Sequence, residues 1–568
     1  MRNFLLTLLG AIDNESLQSV PVPFGFDSWT TFWLVMFICV LNAVMMAFVS
    51  YKFFQTLQLS GYKASGYFSG LKENKFSDVG RLIVLSFLST AALLITNVLL
   101  EDFIIYKIMT YLGLLFYVIF TLVYIRNIFS ISKKTPLKYT KRMLRLVIVF
   151  SVLMFVITYF LLRLSVFNIP YFAHGIIGLS PLLVPAVVLI SHFITLPFET
   201  LHNKKFVKKA QKKLAGEEYK NLITIGVTGS YAKTSVKNIL NVILSEKYKV
   251  LASPHSYNTP LGLSKTILEG LRPNHEIFIA EMGARYIGDI RELCEFVCPS
   301  IGLITGIGNQ HLGTFKTHEN LVNTKFELAS FIWSHENQMF FSSDSEKTLN
   351  ALSDRKNKGK YSLSGVTSGD VTVEDLFYDA NGSKFKLCYQ GEKIECETML
   401  FGKHNVSNIA LCASVAISLG LSLEEIKSGI SKLTPTAHRL ALVPSSSALT
   451  VIDDAYNGSV EGAKAGLDVL RCFKGKKFVV TPGLVELGSE QFNSNFEFGK
   501  NMASVVDYCI ITGITNYEAI SSGLEFGGFD KAKILRAGSV SQAVDLISAL
   551  STPGDVVLFE NDLPDNYA

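Results

Sequence analysis

Five apolar stretches in the first 200 residues, each near the length of a bilayer crossing, constrain this chain more than any other feature. They run approximately from Phe32 to Phe48, Leu82 to Leu100, Ile108 to Ile125, Leu146 to Leu162 and Ile176 to Phe198. Each holds roughly 17 to 23 residues, against the ~20 that a helix needs to span hydrocarbon. The mean hydropathy of +0.32 and the 41 phenylalanines are high for a soluble protein, and the apolar residues crowd into this first third. Charge dominates the remainder. The expectation is a multi-pass α-helical membrane domain over 1–200 with about five transmembrane helices, a basic juxtamembrane linker over 201–220, and a soluble part beyond it. Pro181 and Pro185 predict a kink or a re-entrant path in the fifth stretch.

Basic residues orient these spans. Lys52, Lys63, Lys72, Lys75 and Arg81 lie between the first and second, and Arg126, Lys133, Lys134, Lys138, Lys141, Arg142 and Arg145 between the third and fourth. "KKFVKKAQKK" follows the fifth, whereas the alternate loops are poor in Lys and Arg. With an outside N-terminus, every basic segment and everything after residue 200 lies in the cytoplasm. The net charge of +5 is therefore a topology signal, and no nucleic-acid partner is expected. The opening "MRNFLLTLLGAI" reads as an interfacial helix rather than a cleaved signal. No chain of intramembrane acids or bases suggests a proton path.

The eight cysteines include one close pair, Cys294 and Cys298, with no second Cys or His pair to complete a zinc set. They read as ordinary thiols of a reducing compartment, in agreement with the topology.

From Asn221 short apolar runs alternate with longer helical periods. "LITIGVTG", "EIFIAEMG", "SIGLITGIG" and "QMFFSSD" read as buried strands of a mostly parallel α/β sheet. "VTVEDLFYD" and "SKFKLCYQGEKIECETML" alternate as antiparallel strands do. A second α/β series follows near "LTPTAHRL", with "LTVIDDAYN", "KKFVVTPG", "VDYCIITG", "AKILRAG" and "GDVVLFE". Two α/β domains are expected, over 221–435 and 436–568.

"GVTGSYAKTSVKNIL" carries the sharpest local chemistry. A strand ending at Gly229, a tight turn through Ser230, and Lys233, Thr234 and Ser235 opening a helix present backbone N–H groups and an ammonium to phosphates. The Thr234 hydroxyl would meet Mg²⁺. Where such loops carry Gly before the lysine this chain has Ala232, which must keep a negative φ or bear a cost of ~1–2 kcal/mol.

Further motifs follow in order. "TGSYAKTS", "HSYNTPLGL", "EMGARYIGDIRELCEFVCPSIGLITGIGNQHLGTFKTHENLVNTKFELA", "FGKHNVSNIALCASVAISLGLSLEEI" and "HRLALVPSSSALTVIDDAYNGSVEGAKAGLDVL" together resemble the Mur ligase superfamily, the ATP-dependent amide ligases of peptidoglycan precursor synthesis. They are most similar to its D-alanyl-D-alanine-adding branch. The resemblance covers about residues 220 to 568 and implies a central P-loop ligase domain followed by a Rossmann-like C-terminal domain. It also implies transfer of the ATP γ-phosphoryl to a carboxylate, then attack of an amine on the acyl phosphate. Carried over residue by residue, it places Lys233 on the outer phosphates and gives Thr234, Glu281 and His311 to Mg²⁺. Lys325 falls where many members carry a carbamylated lysine, whose carbamate would bind metal. Asn405 and Asn408 match the adenine-side asparagines, Arg439 and Asp453 the C-terminal contribution to ATP, and Tyr456 and Asn457 the cleft near the amine.

The chain departs from that branch in three ways. Apolar stretches stand where its UDP-substrate domain would be, Ala232 replaces the loop Gly, and "FENDLPDNYA" stands where the branch has K-G-S-R. The expected partners are a small-molecule or lipid-linked envelope precursor and an amino acid or dipeptide. The competing readings are a P-loop ATPase energising transport, for which no signature helix or strand ending in Asp-Glu is present, and a non-catalytic nucleotide-binding regulator, which Ala232 favours.

Overall fold

The computed structural model describes residues 29–73, 78–98, 103–130, 136–164, 177–308, 312–355, 358–379, 381–436, 438–443, 449–455 and 458–561. The expected interfacial helix at the N-terminus lies outside them. The chain divides into two compact units, Met1–His202 and Asn203–Ala568.

In the first unit the described parts of all five apolar stretches lie mainly on helices, Trp29–Val49, Asp78–Val98, Phe103–Ser130, Lys141–Leu164 and Ser180–Leu214. Three are long and apolar enough, among the described residues, to cross a membrane: Leu112–Phe129, Lys141–Leu162 and Ser180–Leu214. The first stretch reaches that standard only when Val35–Val49 is joined across a 46° bend to Tyr51–Leu59, and the second is described as a shorter apolar helix, Val79–Leu93. The described residues thus support three spans, or four with the bent pair, rather than five. Ser180–Leu214 continues through Pro185 and Pro197, while Pro181 occupies its first turn, where a missing N–H removes no intrahelical bond. The segment expected as a linker is the end of this helix and a short 3₁₀ turn, Glu217–Tyr219. Asn42, Tyr117, Thr158 and Ser180 tie four helices together: Asn42 Nδ2 donates to Thr158 Oγ1 at 2.8 Å, and Tyr117 Oη donates to Asn42 Oδ1 at 2.5 Å and lies 3.1 Å from Ser180 Oγ. In hydrocarbon such groups must satisfy one another.

The second unit contains two sheets. Strands β1 (Ile223–Thr228), β2 (Val250–Ala252), β3 (Ile277–Glu281), β4 (Ile301–Ile304), β5 (Gln338–Ser342), β6 (Tyr361–Ser364), β7 (Val371–Asp379), β8 (Gly382–Tyr389) and β9 (Glu392–Thr398) form one sheet in the order β2-β3-β1-β4-β5-β6-β7-β8-β9. It is parallel as far as β7 and antiparallel through β7, β8 and β9. The central strands are apolar on both sides because helices cover both faces. On one face Val236, Ile239, Leu240 and Ile243 of helix Lys233–Leu244 pack with Val406, Ile409 and Ala413 of helix Lys403–Ser418. On the other, Phe278, Phe326, Leu328 and Phe341 join helices Pro260–Gly270, Asp289–Val297 and His318–Ser334. Each of these Val, Leu, Ile and Phe side chains contributes ~1.5–3 kcal/mol on burial. The chain leaves β1 toward β2 and leaves β4 toward β5, so the two crossovers part between them. A crevice opens there at the carboxyl ends of the strands.

Strands β10 (Ala441–Val443), β11 (Thr450–Asp454), β12 (Lys477–Thr481), β13 (Tyr508–Thr512), β14 (Ile534–Ala537) and β15 (Val556–Glu560) form the second sheet, ordered β10-β11-β15-β12-β13-β14. Only β10 runs antiparallel. Both predicted strand series are present; the short strands β2, β6 and β10 were not anticipated.

Candidate active site

The phosphate-type loop sits over the β1/β4 crevice. Gly229 takes φ +155°, and a Cβ there would run into Thr305 Oγ1. The loop is pinned from β4: Ser230 N donates to Gly306 O at 2.7 Å, and Thr305 Oγ1 donates to Tyr231 O at 2.5 Å. Ala232 does not keep a negative φ. It sits at φ 60°, ψ 1°, in the left-handed region, as the N-cap of helix Lys233–Leu244. The loop therefore has the geometry that a glycine would give it, and Ala232 holds it against a strain of ~1–2 kcal/mol.

Lys233 Nζ donates to two carbonyls of its own loop, Gly229 O at 2.8 Å and Ser230 O at 3.2 Å. Burial pushes its pKa down to about 8, with Glu281 opposing the shift and Arg439 adding to it. Thr234 is buried, and its Oγ1 accepts from Arg439 Nη2 at 3.4 Å.

Glu281 ends β3 with its side chain 1% exposed. Oε1 accepts from Asn258 Nδ2 at 3.1 Å. Oε2 lies 3.2 Å from Lys237 Nζ, an ion-pair contact, and among the described residues meets no other donor. Sequence reading missed Lys237, although it lies one helical turn beyond Lys233 among the apolar Val236, Ile239 and Leu240. Its Nζ also donates to the carbonyl of His255. Burial lowers its pKa and Glu281 counteracts that.

Lys325 occupies helix His318–Ser334, which Thr317 caps by accepting from Asn320 N. Its side chain is 2% exposed, with Nζ 5.9 Å from the Phe315 ring centroid. Burial, reinforced by the charge of Lys233, pushes its pKa down to about 7 against the opposing carboxylates of Asp289 and Glu327. A lysine paired with a surface acid would behave oppositely. His311, Tyr456 and Asn457 lie outside the described residues.

Beside the loop helix a cavity of about 250 Å³ is lined by Ser235, Asn238 and Ile239, by Asn405, and by Leu433 to Thr436 with Arg439. That is below the ~300–1,000 Å³ of drug-sized pockets and suits one planar group. Asn405 Nδ2 donates to Phe401 O at 3.0 Å, and Asn238 Nδ2 donates to Thr436 Oγ1 at 3.1 Å. Asn408, one helical turn from Asn405 on the same side of the helix, is buried and is not among the residues lining this cavity. Asp453, on β11, accepts from Ala455 N at 3.0 Å and lies 2.7 Å from His438 Nδ1. The two α/β domains also meet through Lys347–Glu461 at 3.7 Å and Arg285–Glu486 at 3.9 Å.

Among the described residues no three His, Cys, Asp or Glu side chains converge into a metal cage. The available donors are the buried Glu281 Oε2, paired with Lys237, and the Thr234 hydroxyl. Such a set fits a hard cation that takes most of its oxygens from phosphate and water.

Comparison with known proteins places these features. A family model of the Mur ligase middle domain matches residues 227–416, and one of the Mur ligase glutamate ligase domain matches 438–560. The UDP-N-acetylmuramoyl-tripeptide–D-alanyl-D-alanine ligase of Mycobacterium leprae is 27% identical over 373 residues, 60% of this chain and 71% of that protein. The enzyme of the same name from Bacillus subtilis is 27% identical over 376 residues, 65% of this chain and 78% of that one. The fold is shared with MurF ligase from Thermotoga maritima, solved in complex with ADP (TM-score 0.57, 24% identity, 64% of this chain and 81% of that one). MurF from Acinetobacter baumannii matches equally (TM-score 0.57, 24% identity, 63% and 77%).

Proposed function

Because the chain belongs to the Mur ligase superfamily, as a membrane-anchored ATP-dependent acid–amino-acid ligase of cell-wall precursor synthesis with its ligase domains on the cytoplasmic side, we propose that it completes a precursor of the D-alanyl-D-alanine-adding kind. The donor is a carboxylate on a small-molecule or lipid-linked envelope precursor, and the acceptor is the amine of an amino acid or dipeptide. The observation that carries this reading is the contact of Arg439 with Thr234 beside the 250 Å³ cavity: it joins the C-terminal domain to the phosphate loop at the mouth of a base-sized pocket.

In this reading the loop amides and Lys233 hold the outer phosphates of ATP. Lys233 leaves its two loop carbonyls to do so, exchanging neutral acceptors for charged ones. Ser235, Asn238 and Asn405 line the space for the base, and Arg439 stabilises charge that develops during phosphoryl transfer. Thr234 and Glu281 would hold Mg²⁺, with His311 completing the set, and the cation supplies charge neutralisation of the phosphates. Lys237 holds the Glu281 side chain in place. Lys325, buried with its pKa lowered, is suited to carry CO₂ as a carbamate, because only the neutral amine adds CO₂. The carbamate would then offer oxygen where the amine could not.

Mass spectrometry of envelope precursors from a strain lacking this chain tests the assignment. Accumulation of a precursor lacking one amide-linked residue or dipeptide supports it and identifies the acceptor. An unaltered precursor pool contradicts it.

A further inference from the structure

At the basic end of the membrane unit, helix Lys141–Leu164 opens with two arginines that face helix Ser180–Leu214. Arg145 Nε is 2.7 Å from Glu199 Oε1, and the Glu199 side chain is 5% exposed. Arg142 has no such ion pair among the described residues. Its guanidinium carbon lies 3.8 Å from the centroid of the Tyr62 ring, which covers one face, and its buried Nε meets no hydrogen-bond acceptor among the described residues. His192, 3% exposed and within electrostatic reach of Arg142, likewise has a buried Nδ1 with no partner. Among the described residues the carboxylate that acts on Arg142 is Glu199, which is bonded to Arg145, so two guanidiniums face one acid.

A buried guanidinium edge without an acceptor is costly, and the cost disappears when an anion with several oxygens meets it. Phosphate has that geometry, and arginine recognises it better than any other side chain. The same ends of these two helices carry exposed apolar side chains, which bears on what carries the phosphate. Tyr139 and Leu144 flank Arg142 in sequence and Phe198 and Leu201 flank Glu199, and all four are exposed, at 59%, 48%, 71% and 60%. These are surfaces for acyl or prenyl chains. The match is to an amphiphile with an anionic head and an apolar tail rather than to a soluble anion.

We propose that Arg142 and His192, roofed by Tyr62, form a binding site for the phosphate-bearing headgroup of a membrane lipid at the cytoplasmic end of the helical unit. Two lipids share this chemistry, a bulk anionic phospholipid and a polyprenyl diphosphate of the kind that carries envelope precursors. The site does not rest on the ligase assignment and stands if that assignment fails.

Native mass spectrometry of the full-length protein, released from nanodiscs of phosphatidylcholine doped with either phosphatidylglycerol or a polyprenyl diphosphate, tests the site. Retention of the doped lipid at least 10-fold above phosphatidylcholine is expected. Arg142→Gln and His192→Gln should each reduce it about 10-fold while ATP binding by the ligase unit stays intact, and Arg142→Lys should fall between. Stronger retention of the diphosphate marks a precursor carrier, and stronger or equal retention of phosphatidylglycerol marks a structural lipid; both support a headgroup site. Equal retention of zwitterionic and anionic lipids overturns the proposal. So does undiminished retention by His192→Gln together with whichever Arg142 variant folds.

Discussion

Lys237 Nζ lies 3.2 Å from Glu281 Oε2, and both side chains are 1% exposed. Removing one member of such a pair strands the other charge away from water. Lys237→Met should lower unfolding stability by about 3–5 kcal/mol, read as a fall in the melting temperature of the ligase unit. The double variant Lys237→Met/Glu281→Gln should recover most of that loss while remaining inactive. Equal melting temperatures for wild type and Lys237→Met would show that the pair is not formed.

Ala232 at φ 60° is strained where glycine is not. Relief of ~1–2 kcal/mol, less ~0.5–1 kcal/mol for the greater freedom of glycine in the unfolded chain, leaves Ala232→Gly slightly more stable than wild type. ATP affinity should be retained. Ala232→Val, β-branched and worse in this region, should weaken both. Loss of ATP binding in Ala232→Gly would contradict the loop geometry.

Asp454 and Glu560 are register partners on adjacent parallel strands, β11 and β15, and their buried carboxyl groups interact with each other. Burial pushes the Asp454 pKa up to about 6 and that of Glu560 well above its usual range, the negative charge of Asp454 adding to the effect on Glu560. Raised pKa values mean that the folded state holds protons more tightly than the unfolded one. Their stabilising contribution is present below pH ~4 and is lost as pH rises through 6 and beyond. Glu560→Gln should therefore raise stability at pH 7–8 by on the order of 1–3 kcal/mol and change little near pH 4. Thermal melts across that range decide it; a loss of stability at pH 8 would contradict the shared-proton pair.

Lys325 is buried with its pKa pushed down to about 7. Lys325→Ala should lose at least ~10²-fold in turnover, the scale of one lost electrostatic contact to the reacting phosphates. Acetate or propionate should restore part of it by placing a carboxylate in the vacated space. Full activity without rescue would remove Lys325 from the site.

Much of this was legible in the residues. Strands β1, β3, β4 and β5 are near-continuous apolar runs because helices bury both faces of a parallel sheet, and such runs stand out. Strands β2, β6 and β10 span three or four residues, too short for a period to register. Lys233 and Thr234 stand out as candidates in the loop itself, and Glu281 through the order of the motifs. Lys237 was overlooked because a lysine four residues past a phosphate loop resembles ordinary helix surface, although its apolar neighbours place it on the buried face. Asn405 and Asn408 share one helix side at i, i+3 spacing, and their different depths, Asn405 at the cavity and Asn408 buried, are set by packing that spacing does not carry. The Asp454–Glu560 pair needed the strand register, since 106 positions of sequence separate its members.

Phosphate release by the purified full-length protein, supplied with ATP, Mg²⁺, an envelope-precursor carboxylate and candidate amines, tests the central claim most directly. A ligase predicts release that depends on both carboxylate and amine, with one amide formed per phosphate. Release without the amine would indicate an ATPase coupled to transport, and ATP binding with no release a nucleotide-binding regulator; either result would contradict the account.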